Sequence, residues 1–243
     1  MSTPDQRLAD TFVALAQSQG DAFDSAGFLT KLAHHSVEVL GVGAAGAVLV
    51  TANEGKGTQA GASHPGVERL ELDAACWLEG PSYDCHCAGE LLTDSALDEP
   101  QARSCWPQYS ARAQALGFIG VAALPLRCQD ESVGALVLLR KESISLSADV
   151  LALGQSLADA ATVALLRERE LAKSRILTVQ LEHALSSRVV IEQAKGILSV
   201  RLGLPMDTAF DLMRRYTRSH HLRLTDVAGD VVARRLIPGL EEM

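Results

Sequence analysis

Residues 187–236, SRVVIEQAKGILSVRLGLPMDTAFDLMRRYTRSHHLRLTDVAGDVVARRL, constrain the fold more tightly than any other stretch. Apolar residues return there three times at helical spacing, with breakers between, which predicts three short helices. Val190, Ala194 and Ile197, joined by Ile191 and Leu198, line the first. The Ser187 hydroxyl is the predicted cap for its first turn, and Gly203 the predicted stop, because glycine accepts the left-handed conformation that ends many helices. Pro205 suits the opening position of the second helix, where a missing N–H is harmless. Ala209, Phe210, Met213 and Tyr216 would form the inner face of that helix. Thr225 is the predicted cap of the third, with Val227, Ala228, Val231 and Val232 turned inward.

Charge divides the chain. Residues 1–166 hold 9 Lys/Arg against 20 Asp/Glu, a balance of −11, whereas residues 167–243 hold 13 against 10, a balance of +3, which together give the net −8. An acidic part joined to a basic part suggests two tasks on one chain. The basic set of the last 50 or so residues comprises Arg188, Lys195, Arg201, Arg214, Arg215, Arg218, Arg223, Arg234 and Arg235. Phosphates demand cations, and arginine adds a planar fork that stacks on unpaired bases. Arg214, Arg215 and Arg218 fall within about one turn of Tyr216, an aromatic able to stack on a base. The plainer reading of such a helix is a solvated face, with Phe210 in the core. Gly196 inside a helix costs about 1 kcal/mol against alanine, so its use suggests close backbone approach by RNA or by a neighbouring helix. A helix-turn-helix that reads DNA is disfavoured, since the third helix offers Asp226 and Asp230, which repel phosphate.

The segments IEQAKGIL (residues 191–198), DTAFDLMRRY (207–216) and LTDVAGDVV (224–232), in that order, closely resemble the ANTAR domain. That family binds RNA in bacterial transcription antitermination regulators. The resemblance implies RNA contacts at Ala194, Lys195 and Gly196 on the first helix. His221, where many members carry asparagine, joins Arg214, Arg215, Tyr216 and Arg218 as a candidate contact.

Upstream, residues 5–18 (Leu8, Phe12, Leu15) and 24–40 (Phe28, Leu32, Val39, Leu40) read as amphipathic helices, the second capped by Asp24. A buried strand over 47–50, a turn at Asn53-Glu54-Gly55 and a second strand over 56–63 follow. Residues 67–78 suit a helix that ends at the Glu79-Gly80-Pro81 turn. Residues 83–110 read as irregular, with a helix around 106–116, and strands are predicted over 119–126 and 132–140. Helices with an antiparallel sheet make an α+β domain. This order, with Glu79-Gly80-Pro81, Ala88-Gly89-Glu90-Leu91, Trp106-Pro107-Gln108-Tyr109, Ala115-Leu116-Gly117-Phe118 and LPLRCQDESVGALVLLR (124–140), looks like a GAF domain. GAF domains are sensory modules, some enclosing a small ligand and others only dimerising. Residues 1–150 are therefore assigned to the sensor, 151–186 to a connecting helix and 187–237 to an all-α three-helix bundle.

Leu153, Leu157, Ala160, Ala164, Leu171, Leu181 and Leu185 form an incomplete heptad-like seam, flanked by Arg167-Glu168-Arg169-Glu170. The preferred expectation is pairing with a second copy; the alternative is a helix folded back on the sensor core.

Five cysteines (Cys76, Cys85, Cys87, Cys105, Cys128) without a secretion signal argue against a disulfide framework. Cys85-His86-Cys87 has one intervening residue and no second pair, unlike structural zinc sites, so no metal is expected. Cys105 lies in a region loosely comparable with the chromophore cysteine of bilin-binding GAF domains, but Trp106-Pro107-Gln108 follows it and no bilin is expected. Trp77, Tyr83, Cys85, His86 and Trp106 are the pocket candidates for a small-molecule effector of unknown identity. No nucleophile with its base and no phosphate-cradling glycine pattern is present, so no enzyme is expected. Without a run of about 18 apolar residues or a signal-like N-terminus, a cytoplasmic protein with no membrane partner is expected. The reading is a sensor-controlled antiterminator that binds stem-loops in leader transcripts as a homodimer. The competing reading is a ligand-binding domain whose C-terminal helices make protein contacts.

Overall fold

In the computed structural model, residues 23–50, 57–128, 131–233 and 235 are described. The expected helix over 5–18, the turn at 53–55, and Lys56, Arg234 and Leu236 lie outside them. Two compact units divide between Glu170 and Leu171.

In the first unit, α1 (Ser25–Leu40) has Asp24 at its N-cap position without a side-chain capping bond, and ends on Gly41 in the left-handed region. It is followed by β1 (Ala44–Leu49), β2 (Gln59–Ala62), α2 (Pro65–Trp77), α3 (Pro81–Ala88), β3 (Leu92–Ala96), α4 (Pro100–Cys105), α5 (Pro107–Ala115), β4 (Gly120–Cys128) and β5 (Glu131–Arg140). The strands make one sheet in the order β2-β1-β5-β4-β3, with every neighbouring pair antiparallel. Both faces are covered. Phe28, Leu29 and Leu32 of α1 pack on one face with Leu124, Leu136 and Leu138. On the other, Val67 and Leu70 of α2 and Tyr109 of α5 pack with Val121, Val137 and Leu139. Burial on both sides makes the strands read as continuous apolar runs rather than alternations.

The 83–110 stretch is the main departure from expectation. It folds as most of α3, then β3, α4 and the start of α5. Each of these three helices has a proline at its first or second position, where the fixed φ favours helix entry. They are too short for apolar periodicity to emerge, and the edge strand β3 has an irregular register against β4.

Asp94 on β3 and Arg140 at the end of β5 form a buried pair, with Arg140 Nε donating to both Asp94 oxygens at 2.9 and 3.0 Å. Arg140 Nη1 donates to the Glu142 carbonyl at 2.7 Å, and the Leu146 amide donates to Asp94 Oδ2 at 3.3 Å. Gly120 leaves room for this clasp, because a Cβ there would meet the Arg140 guanidinium and push it from its place.

The next helix, α6 (Ala148–Leu202), runs 55 residues without interruption. Ser187 is thus interior, and no helix starts there. Of the seam residues, Leu157 is buried in the core on the α1 side of the sheet and Leu153 and Ala164 pack partly buried against it, beside buried Ala158, Ala161 and Leu165, so the start of the seam belongs to the sensor core, as in the folded-back alternative. Leu171, Leu181 and Leu185 are instead 38%, 56% and 65% exposed. By length and composition α6 also meets the requirement for a membrane span; its sheet-facing leucines and alanines have a protein partner.

The second unit combines the C-terminal part of α6 with α7 (Met206–Ser219) and α8 (Leu224–Val232). Ala194 and Leu198 pack with Ala209, Leu212, Met213, Tyr216, Val227, Ala228 and Val231. Gly203 has φ 65° at the first turn, as a glycine stop requires. Pro205 sits at the N-cap of α7 rather than inside it. Arg223, not Thr225, takes the N-cap position of α8 and makes no side-chain cap bond.

Candidate functional site

The basic residues of α7 gather beside the end of α6. Phe210, Arg214 and Arg218 follow at four-residue intervals and lie along one side of the helix. Lys195 Nζ of α6 stands 5.4 Å from the Phe210 ring centroid and Arg214 Cζ 5.7 Å from it. Lys195 Nζ also donates to both Glu192 carboxylate oxygens at 3.0 Å. Arg214, Arg215 and Arg218 are exposed, and among the described residues no ion pair holds them. Three unneutralised cations with a lysine and a half-buried aromatic form a surface suited to phosphate.

The other expected contacts are placed differently. Ala194 is fully buried and Tyr216 is 6% exposed. Tyr216 is covered by His220, the two rings stacked with centroids 4.1 Å apart. Its face is spent inside the bundle, so the expected base stacking is not available to it in this arrangement. Gly196 is half-buried, with open space where a Cβ would stand; among the described residues no neighbouring helix demands a glycine there. It borders a shallow, open apolar surface depression shared with Gln193, Ile197, Val200, Arg201 and Val232. His221 is exposed at φ 55°. Asparagine is among the residues that best tolerate that left-handed conformation, which gives the family's preference at this position a backbone cause.

In the first unit the pocket candidates separate. The eight residues of α3 send Asp84, Cys85 and Ala88 to a cavity of about 470 Å³, completed by β3, α4 and Trp106. Ser82, Tyr83, His86 and Cys87 line a second, smaller cavity of about 220 Å³ with Val48, Leu78 and Ala135. Trp77 borders neither and packs under Arg112, 5.6 Å from the guanidinium carbon. Asp84 and Cys87 are lining residues that sequence reasoning missed; residues one turn apart share a side of α3, 82, 83, 86 and 87 on one and 84, 85 and 88 on the other, a signal visible only once α3 is known to be helical.

The Glu79-Gly80-Pro81 and Trp106-Pro107-Gln108-Tyr109 segments meet at this site. Glu79 Oε1 accepts from the amides of Gln108 and Tyr109 at 2.7 and 2.8 Å, capping α5. Trp106 Nε1 donates to Asp84 Oδ2 at 2.7 Å. Burial pushes the Cys85 thiol up to about 12, which keeps it protonated and unreactive. Burial lowers the His86 pKa; its Nδ1 lies 3.1 Å from Ser132 Oγ. Behind the cavities, Tyr109 donates its hydroxyl to Glu71 Oε1 at 2.8 Å. Burial raises the Glu71 pKa, with smaller lowering contributions from Ser82 and Tyr109. Among the described residues Glu71 Oε2 has no direct hydrogen-bond partner, so Ser82 tempers the charge from nearby without a well-formed bond. Among the described residues no cluster of three or more metal-ligating side chains occurs.

The GAF domain model matches residues 25–165 and the ANTAR domain model residues 179–232. The chain is a GAF–ANTAR protein. Its five-stranded antiparallel sheet is the GAF domain, and the basic helical bundle lies in the ANTAR domain. Bacteriophytochrome RpBphP3 from R. palustris is similar at 12% identity and TM-score 0.53, over 88% of this chain and 47% of that one. The GAF domain of a phosphoenolpyruvate-protein phosphotransferase from Coxiella burnetii is 17% identical, with TM-score 0.48, over 71% of this chain and 99% of that one. None of the curated proteins matches the chain. A GAF sensor joined to an ANTAR domain marks a regulator of the ANTAR type.

Proposed function

We propose that this protein is a cytoplasmic RNA-binding transcription antitermination regulator rather than an enzyme. The observation that carries the reading is the cationic face of exposed Arg214, Arg215 and Arg218, with the partly buried Lys195 beside it, on an ANTAR domain. Phosphate contacts supply affinity, and unpaired loop bases supply the readable part of an RNA. Stem-loops in leader transcripts are the target class, their capture preventing a terminator from forming. A small-molecule effector enters the GAF domain through one of the two cavities beside α3. Residues 1–150 sense, 151–186 connect and 187–237 engage RNA, with the first turns of α6 serving the sensor core. Leu177, Leu181 and Leu185, each more than half exposed, support homodimerisation through α6. Two bundles on one dimer suit two loops, because linkage raises effective concentration.

The test is titration of a two-stem-loop RNA and a single-stem control with the purified protein across a salt series. Tight, salt-sensitive binding that needs both loops is expected. A second reading, protein contacts through the bundle, is favoured by the open apolar depression beside Gly196 and by Val200, 86% exposed. Absence of RNA binding, with alanine at Arg214, Arg215 and Arg218 weakening only the capture of a protein, would support it instead.

A further inference from the structure

Phe210 is predicted from its spacing to be a core residue, yet it is only half-buried and meets two cations from two helices. Lys195 reaches it from α6 and Arg214 from its own helix, one turn on. An aromatic face attracts cations through its quadrupole, so the ring offsets part of their mutual repulsion and fixes their spacing. Among the described residues, the only carboxylate bonded to either is that of Glu192, through Lys195. Two positive charges and one negative charge around a ring leave one positive charge unbalanced, with Arg214 exposed and Lys195 partly buried behind it.

We infer that Phe210 is a positioning residue for RNA, holding Lys195 and Arg214 as a two-cation clamp for one backbone phosphate. The inference rests on the RNA-binding reading above. In the free protein the ring limits the wandering of two long side chains, so less conformational freedom is lost when the phosphate arrives. Leucine at 210 keeps an apolar side chain for the bundle and removes the quadrupole; tryptophan keeps an aromatic face and strengthens the attraction.

The experiment measures binding of the two-stem-loop RNA to the full-length protein, the Phe210→Leu and Phe210→Trp variants, and Lys195→Ala, Arg214→Ala and their double. Phe210→Leu is expected to weaken binding by about five-fold, the scale of exposed cation–π contacts, and Phe210→Trp to bind at least as well as the parent. The Lys195→Ala and Arg214→Ala losses are expected to be non-additive. Each of these alanine variants should also flatten the salt slope, since a phosphate that is no longer neutralised keeps its counterion. Equal weakening by leucine and tryptophan, or additive losses with an unchanged salt slope, would overturn the clamp while leaving RNA binding intact. Should Phe210→Leu fail to fold, the Lys195–Arg214 cycle decides with Phe210 in place. No binding by the parent protein would remove the RNA reading itself, and the clamp with it.

Discussion

His221 carries a Cβ in a left-handed backbone conformation, φ 55°, at a cost of about 1–2 kcal/mol for most residues. His221→Gly is therefore expected to raise the stability of the ANTAR domain by about 1 kcal/mol, seen as a higher urea midpoint; a lower midpoint would mean that the imidazole makes a compensating contact. Asp94→Ala leaves Arg140 buried beside an empty partner and is expected to cost about 3–5 kcal/mol, measured by chemical unfolding of the GAF domain. Glu71 makes a pH-dependent contribution. Burial holds its carboxyl above 4.5, so the folded chain binds that proton more tightly than the unfolded one. Its contribution is complete below 4.5 and is lost as pH rises through the folded value. Wild type should thus lose stability relative to Glu71→Gln from about pH 4.5 upward; a pH-independent difference between the two would show that Glu71 titrates normally. The Glu71–Tyr109 bond could not be read in the sequence, because nothing local joins residues 38 positions apart.

Among the elements, those whose faces differ in polarity were legible, and the shortest proline-begun helices were not. α7 and α8 have apolar residues at regular spacing, and their positions were readable to within a residue or two. α3 and α4, of eight and six residues, turn too few times for a stripe to form, and β3 is a half-buried edge without clean alternation. The same limit hid the division of the pocket candidates between two cavities. The start expected at Ser187 failed because a serine caps only where the preceding backbone departs from helix, and nothing upstream makes it depart. Phe210 was assigned to the core because periodicity reports direction rather than depth. At this scale α6 supplies a test. Replacing Leu177, Leu181 and Leu185 by glutamate should leave the helical content unchanged and convert a dimer into a monomer by light scattering. A parent protein already monomeric with and without RNA would remove pairing from the mechanism.

Across the whole chain, the acidic −11 of residues 1–166 and the +3 of residues 167–243 act on a polyanion with opposite sign. Association of RNA with residues 171–243 alone should be faster than with the full chain at low ionic strength. The advantage should shrink above about 0.1 M salt, where the Debye length is about 10 Å; stopped-flow rates at two salt concentrations check it. An equal rate at both would mean that the acidic part exerts no field at the binding face.

The two cavities share α3 as their common wall, residues 82, 83, 86 and 87 on one side and 84, 85 and 88 on the other. A partition of only two turns cannot yield toward one chamber without intruding on the other. An occupant that displaced α3 from one side would therefore change the space on the other, and by reciprocal linkage two occupants would alter each other's affinity by the same factor.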